Sequence, residues 1–179
     1  MNRKRKILTN VIFIAIFISF ALLSGMFYID PVAAYRGAER SIHYGPSEVV
    51  HVEDFSGGKY FLGKYDKWIS CNIIQKSIGV FWSAGSYATG TEISYDHPIY
   101  YEALYGLSNA RAYGIRHDES ITRVDVHLMD GTIISQEEFH EDMFLLTWES
   151  EFEFRKIVAY DDAGTVVFEE ERQQYDPVG

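Results

Sequence analysis

The chain has one cysteine, Cys71, among its 179 residues, so no disulfide can form within it. An exported domain, placed where disulfides persist, would therefore depend on its hydrophobic core for stability. Cys71 alternates with Ile69 and Ile73 in a strand-like segment, which predicts a buried and chemically inert thiol.

Basic residues are also scarce, with 16 Lys and Arg against 26 Asp and Glu and a net charge of -10. Four of these cations lie in the first six residues, so from Pro31 onward 12 cations oppose 25 acidic residues, a net of -13. This balance excludes nucleic acid as an expected partner, and anionic lipid would repel such a surface. Cationic peptides or divalent ions would suit it, although an acidic surface often serves solubility alone.

Motifs that specify a reaction are missing. The chain has no internal repeat and no Gly-x-Ser-x-Gly or Gly-x-Gly-x-x-Gly segment. Residues 58–65 approach a phosphate-binding loop, but Tyr65 stands where a Ser or Thr must bind magnesium, and the pattern favours a strand. We therefore predict no catalytic residue, no cofactor and no metal ligand.

Histidines and carboxylates are the candidate metal ligands in this sequence. The six histidines lack zinc-site spacing, and His51 and His127 fall on the polar faces of predicted strands, where we expect them to be solvated. The stretch 137–142 concentrates acidic residues around His140 but lacks the alternating ligands and glycine of a calcium loop. A solvated acidic face is the simpler interpretation.

A basic leader precedes a long uncharged run. Arg3, Lys4, Arg5 and Lys6 come before Ile7–Ile29, whose 23 residues would extend about 34 Å as a helix, enough to cross a bilayer. The cations predict a cytoplasmic amino terminus in a single-pass cell-membrane protein with an extracytoplasmic remainder. Residues 1–30 thus form the leader and transmembrane helix, with the lipid bilayer as a partner.

Cleavage of the leader is the alternative. Val32, Ala33 and Ala34 would make an acceptable cleavage site, and cleavage would yield a secreted protein. The apolar run is longer than that of a typical signal peptide, which favours a retained anchor.

The remainder indicates antiparallel β structure. Residues 31–47 are expected to be a juxtamembrane stalk, with a helix around Ala38–His43 as an alternative, and residues 48–179 a β-sandwich-like domain with at most one short helix. This domain is either one unit or two, 48–94 and 95–179, divided near Thr89–Tyr95. Short strands are predicted at residues 48–55, 59–65, 68–74, 79–82, 99–104, 110–116, 122–128, 132–134, 143–148, 152–160 and 165–170.

Two local signals stand out in the second half. Asp130-Gly131 is a strong hairpin signal after the alternating strand Thr122–Leu128. Ser135 and Glu138 have capping-box spacing, which predicts one or two helical turns beginning at Ser135.

Tyrosines are dense between residues 95 and 113. Tyr95, Tyr100 and Tyr101 are the candidate recognition surface, because tyrosine offers an apolar face with a polar tip. The simpler alternative is that these are ordinary strand residues with buried rings.

Several segments of the chain carry a resemblance to known proteins. The features that carry it are the basic leader with its single span, residues 113–115, the polar turn to Ser120, residues 121–128, Asp130-Gly131 and residues 157–164. In these features the chain resembles small membrane-anchored extracytoplasmic proteins of Gram-positive bacteria. The resemblance implies a location and a fold, and it transfers no functional residue. The resulting hypothesis is a noncatalytic binding or regulatory module for an envelope or membrane protein, with an anchored envelope hydrolase as the alternative.

Overall fold

The computed structural model describes residues 3–85, 88–105, 109–149 and 151–172. The chain divides into two compact units, Met1–Thr91 and Glu92–Gly179. Antiparallel sheets dominate, accompanied by an apolar amino-terminal helix and one short helix, which confirms the predicted fold class. The division lies in the 89–95 region that the sequence suggested for two units.

Helix α1 (Arg3–Leu23) is 21 residues long and almost entirely exposed along its length. It is long and apolar enough to cross a membrane, a property that it shares with signal sequences. The helix ends at Leu23, six residues before Ile29, the last residue of the uncharged run. The chain turns back after Leu23 because the Met26 N–H bonds to the Ala21 carbonyl at 3.1 Å.

Helix α2 (Pro31–Ser41) occupies most of the segment predicted to be a stalk or a helix. Asp30 caps it by accepting a hydrogen bond from the Ala33 N–H at 2.8 Å, and Pro31 fits the first helical turn. Its buried face packs on the sheet of the first unit, in a cluster formed by Ala34, Tyr35, Ala38, Phe61 and Ile74.

The sheet of the first unit is antiparallel in the order β1-β2-β3-β4, with β5 also pairing with β3. Its strands are β1 (Glu48–Phe55), β2 (Gly58–Tyr65), β3 (Trp68–Lys76), β4 (Trp82–Ala84) and β5 (Thr91–Glu92). The predicted fourth strand is present, but its predicted bounds, residues 79–82, were wrong. A turn occupies that segment, because the Phe81 N–H bonds locally to the Ile78 carbonyl, and the strand begins at Trp82.

The second unit contains two antiparallel sheets, ordered β10-β7-β6 and β12-β11-β8-β9. Their strands are β6 (Ile99–Leu104), β7 (Ala110–Arg116), β8 (Ile121–Leu128), β9 (Ile133–Gln136), β10 (Met143–Trp148), β11 (Phe154–Asp161) and β12 (Val166–Glu171). Residues from both sheets share one buried cluster, including Ile99 and Phe144 from the first and Val126 and Ile157 from the second. The unit is therefore sandwich-like.

The predicted helix at Ser135 was wrong, because this residue lies in β9 and pairs with Asp125 of β8. The Gln136 side chain accepts a hydrogen bond from the Leu145 N–H at 2.9 Å, which joins β9 to the next segment. Pairing with β8 and this long-range bond replace the local capping interaction that the spacing suggested.

Candidate functional site

A groove of about 570 Å³ opens in the second unit, where strands from its two sheets contribute neighbouring side chains. Strand β6 lies at the edge of one sheet, and strand β12 lies at the edge of the other. The groove walls combine aromatic rings with carboxylates, principally Tyr100, Tyr101, Glu102, Tyr105, Phe154, Phe168, Glu170, Glu171 and Arg172.

The two adjacent tyrosines of β6 each lie near a carboxylate. The Tyr100 hydroxyl donates a hydrogen bond to Glu102 Oε1 at 2.8 Å, within the same strand. The Tyr100 hydroxyl thereby orients the Glu102 carboxylate in the groove. Tyr101 and Glu170 of β12 both line the groove, and they lie close enough for the Glu170 charge to act on the Tyr101 hydroxyl, so the edges of the two sheets meet here.

These tyrosines titrate well above their ordinary range. Burial, followed by the hydrogen bond to Glu102, raises the pKa of Tyr100. Burial, followed by the negative charge of Glu170, raises the pKa of Tyr101. Both hydroxyls therefore remain protonated at physiological pH, where they act as hydrogen-bond donors rather than as bases.

Aromatic rings form the apolar part of the groove. Phe154 is buried, and its ring centroid lies 5.8 Å from that of Tyr105 and 6.2 Å from that of Tyr101. Phe168 completes the group, with its centroid 6.5 Å from that of Tyr101. Such a surface can pack against the aliphatic part of a long side chain or against a second aromatic ring.

The charged groups around these rings are mostly acidic. Among the described lining residues, Asp96, Glu102, Glu170 and Glu171 contribute carboxylates, whereas Arg172 contributes a guanidinium. Arg172 donates to Glu153 at 2.7 Å and lies 4.7 Å above the Tyr105 ring, so its charge is already engaged. The groove therefore suits a cation with an apolar stem.

Only part of the predicted tyrosine surface is brought together here. Tyr100 and Tyr101 line the groove, but Tyr95 is 70% exposed outside its lining and places its ring 4.5 Å from that of His117. Sequence reasoning missed Glu170 and Phe168. These residues lie more than 60 positions from Tyr101 in the sequence, and no local spacing signals that they will meet it.

The other sequence candidates take ordinary structural roles. Residues 58–65 form β2, and the Cys71 side chain is fully buried, as predicted. His127 is half-buried rather than solvated, because β8 lies between β9 and β11. Asp142 of the acidic stretch pairs with Arg116 at 2.9 Å, and no group of three metal-binding side chains occurs within the described residues.

The negative charge of residues 31–179 is concentrated in the unit that contains the groove. Residues 92–179 include 20 acidic and 6 basic residues, a net of -14. Residues 31–91 include 5 acidic and 6 basic residues, a net of +1. Long-range attraction of a cationic partner would therefore be directed to the second unit.

No protein family matches the chain, and neither a curated protein nor a solved structure matches it.

Proposed function

We propose that this protein is a single-pass, membrane-anchored binding module whose second unit captures a basic segment of an envelope or membrane protein. The observation that carries this proposal is the groove itself, whose lining combines several carboxylates, with Glu102 held by Tyr100, and a cluster of aromatic rings. Lysine or arginine would place its charge near Glu102 and Glu170 and its aliphatic stem against the rings.

Helix α1 supplies the proposed anchor. With Arg3, Lys4, Arg5 and Lys6 before it, the positive-inside tendency places the amino terminus in the cytoplasm and the second unit outside the cell membrane. This orientation also suits the charge distribution, because the nearly neutral residues 31–91 follow the anchor in the chain and the acidic second unit comes after them.

The surroundings of the possible cleavage site support a retained anchor. Val32, Ala33 and Ala34 lie within α2, and the Ala34 and Tyr35 side chains are fully buried. Cleavage before Tyr35 would remove the Asp30 cap and part of the packed helix. A secreted binder is the outcome if cleavage nevertheless occurs, and an amino-terminal sequence beginning at Tyr35 would show it.

The position of the groove favours an extended peptide as the ligand. Strands β6 and β12 are both edge strands of the second unit, and an edge presents backbone groups that a peptide can pair with. Main-chain pairing would supply general affinity, whereas the carboxylates and rings would select alternate basic and apolar side chains.

Fluorescence anisotropy can test this proposal with the full chain in nanodiscs of zwitterionic lipid. The probe is a labelled peptide of alternating lysine and leucine, and an acidic peptide of equal length is the control. Glu170→Gln and Glu102→Gln should each weaken binding about tenfold, because each removes a charge close to the bound cation. Glu137→Gln removes one charge at an exposed site outside the groove and should have little effect.

Equal weakening by Glu137→Gln would show that net charge, rather than the groove, attracts the peptide, and would overturn the proposed site. Absence of basic-peptide binding would do the same. Reproducible turnover in a panel of envelope substrates, abolished by a single substitution, would replace the binding module with the hydrolase alternative.

A further inference from the structure

The turn between β3 and β4 exposes two large apolar side chains in the first unit. Ile78 is 80% exposed and Val80 is 68% exposed, on either side of Gly79, whose φ of +66° suits glycine. The turn is closed at its base, because the Ser77 N–H donates to the Phe81 carbonyl at 2.7 Å. The apolar tip is thus a defined structural feature, and we call residues 77–81 the hairpin tip.

The hairpin tip lies against the last turns of α1. Ile78 and Phe81 share an entirely apolar cavity of about 180 Å³ with Phe17, Ala21 and Leu22 of the helix. Phe27, which follows the helix, also lines this cavity, and its ring centroid lies 6.2 Å from that of Phe81. The tip and the helix therefore form one continuous apolar surface.

Backbone pairing fixes this arrangement. The Tyr28 N–H donates to the Trp82 carbonyl at 2.8 Å, and the Trp82 N–H donates to the Tyr28 carbonyl at 2.7 Å. This reciprocal pair ties the chain leaving α1 to the start of β4, directly after the hairpin tip. The position of the tip along α1 is consequently set by the fold.

We propose that the hairpin tip inserts into the outer leaflet beside α1 and contacts lipid acyl chains. This inference rests on the membrane anchor of the proposed function. The tip contacts α1 between Phe17 and Leu22, and therefore lies roughly 9 Å or less from the carboxyl end of the helix at 1.5 Å per residue. That depth corresponds to the boundary between headgroups and acyl chains.

The chemistry of the hairpin tip fits lipid. Its two exposed side chains are hydrocarbon, and the exposed Lys76 at its base is placed for the headgroup region. The net charge of +1 on residues 31–91 removes the repulsion from anionic lipid that the second unit would experience. Continuity with the surface of α1 selects lipid over a separate protein partner.

Fluorescence quenching in vesicles tests the depth of the hairpin tip. Full-length protein carrying Val80→Cys is labelled with NBD maleimide, and the fully buried Cys71 is not expected to react. Phe13→Cys reports on the middle of α1. Lys67→Cys reports on the exposed turn at the other end of β3, whose nine residues span about 30 Å.

The expected result is quenching of the Val80 probe by lipids with a nitroxide near the headgroup, stronger than by lipids with a nitroxide near the chain end. The Phe13 probe should show the reverse preference, and the Lys67 probe should not be quenched. Ile78→Cys, labelled in the same way, should repeat the Val80 result and guards against a local effect of one substitution.

Other quenching patterns distinguish failure of tip insertion from failure of the membrane anchor. Quenching at Phe13 without quenching at Val80 and Ile78 would overturn lipid insertion of the hairpin tip and leave the anchor intact. Quenching at Val80 without quenching at Phe13 would support the tip and overturn the membrane-spanning helix. Absence of quenching at all positions would overturn both, and quenching at Lys67 would overturn insertion through the tip alone.

Discussion

Glu39 and Ser47 are joined through a single carboxylate oxygen, because the Ser47 backbone N–H and hydroxyl both donate to Glu39 Oε1, the former at 3.0 Å. Arg36 donates to the other oxygen, Oε2, at 2.7 Å and to the Ser47 carbonyl at 2.6 Å. Glu39 is only 1% exposed, so these donors compensate for the loss of its hydration. The contacts attach α2 to the segment that enters β1.

Removal of the Glu39 carboxylate should destabilise the first unit strongly. Glu39→Ala leaves the donors of buried Ser47 and half-buried Arg36 without this acceptor, and we expect a loss of about 3 to 5 kcal/mol in unfolding free energy. Glu48→Ala, at an exposed site in β1, should change it by less than about 0.5 kcal/mol. Urea denaturation in detergent micelles measures both, and equal midpoints would contradict the role of the buried carboxylate.

Gly63 leaves room for the Tyr35 hydroxyl. A Cβ atom at residue 63 would lie 2.2 Å from Tyr35 Oη and 2.7 Å from Ser47 Oγ, both shorter than a normal contact. Gly63→Ala should therefore cost about 1 to 3 kcal/mol. Its cost should fall in a Tyr35→Phe background, which removes the nearest atom. A double-mutant cycle from urea denaturation tests the contact, and equal costs in the two backgrounds would contradict it.

His127 should make the stability of the second unit sensitive to mild acid. Partial burial, followed by the positive charge of Lys156 on β11, lowers the pKa of His127 below 6.5, while Asp125 and Glu169 oppose the shift and Arg155 adds to it. Because the unfolded chain binds this proton more readily, stability should fall as pH decreases from 6.5 toward the folded pKa. His127→Gln should flatten that part of the profile in denaturation experiments, whereas an unchanged slope would exclude His127 as its source.

The two faces of β8 should respond differently to substitution. Val126 is fully buried and pairs in register with Ile157 of β11 and Ile134 of β9. Val126→Asp would bury an unpaired charge and should destabilise the unit by about 4 kcal/mol or more. His127→Ala should cost about 1 kcal/mol, since this side chain is only half-buried. Equal melting temperatures for the two variants would contradict the assigned faces.

The sequence predicts elements whose signals are local. Alternation from Thr122 to Leu128 and the Asp130-Gly131 turn correspond to β8 and the hairpin that follows it. The Ser135 prediction failed because pairing between β8 and β9, together with the Gln136 bond to Leu145, outweighs a local cap. The strand predicted at residues 79–82 begins only at Trp82, because Gly79, Val80 and Phe81 belong to the turn between β3 and β4, and the apolar side chains of this turn resemble those of a strand.

Only some of the groove residues can be predicted from the sequence, because the others come from distant segments of the chain. The local density of tyrosines predicts Tyr100 and Tyr101 as candidate residues. Glu170 and Phe168 come near them only because the two sheets pack together. Likewise, the run of uncharged residues alone predicts a membrane span that ends at Ile29. In the structure, backbone pairing between Tyr28 and Trp82 holds the residues after α1 beside β4. Contacts between distant segments determine these boundaries and cannot be obtained from local periodicity.

The most direct measurement of the central claim is labelling of Glu119→Cys in intact cells with a membrane-impermeant maleimide. Glu119 is exposed between β7 and β8, and the unmodified chain serves as the control because Cys71 is fully buried. If the second unit is displayed outside the membrane, intact and lysed cells should be labelled equally, and the labelled protein should remain in the membrane fraction. Labelling that requires lysis, or a labelled product that fractionates as soluble protein, would contradict the account.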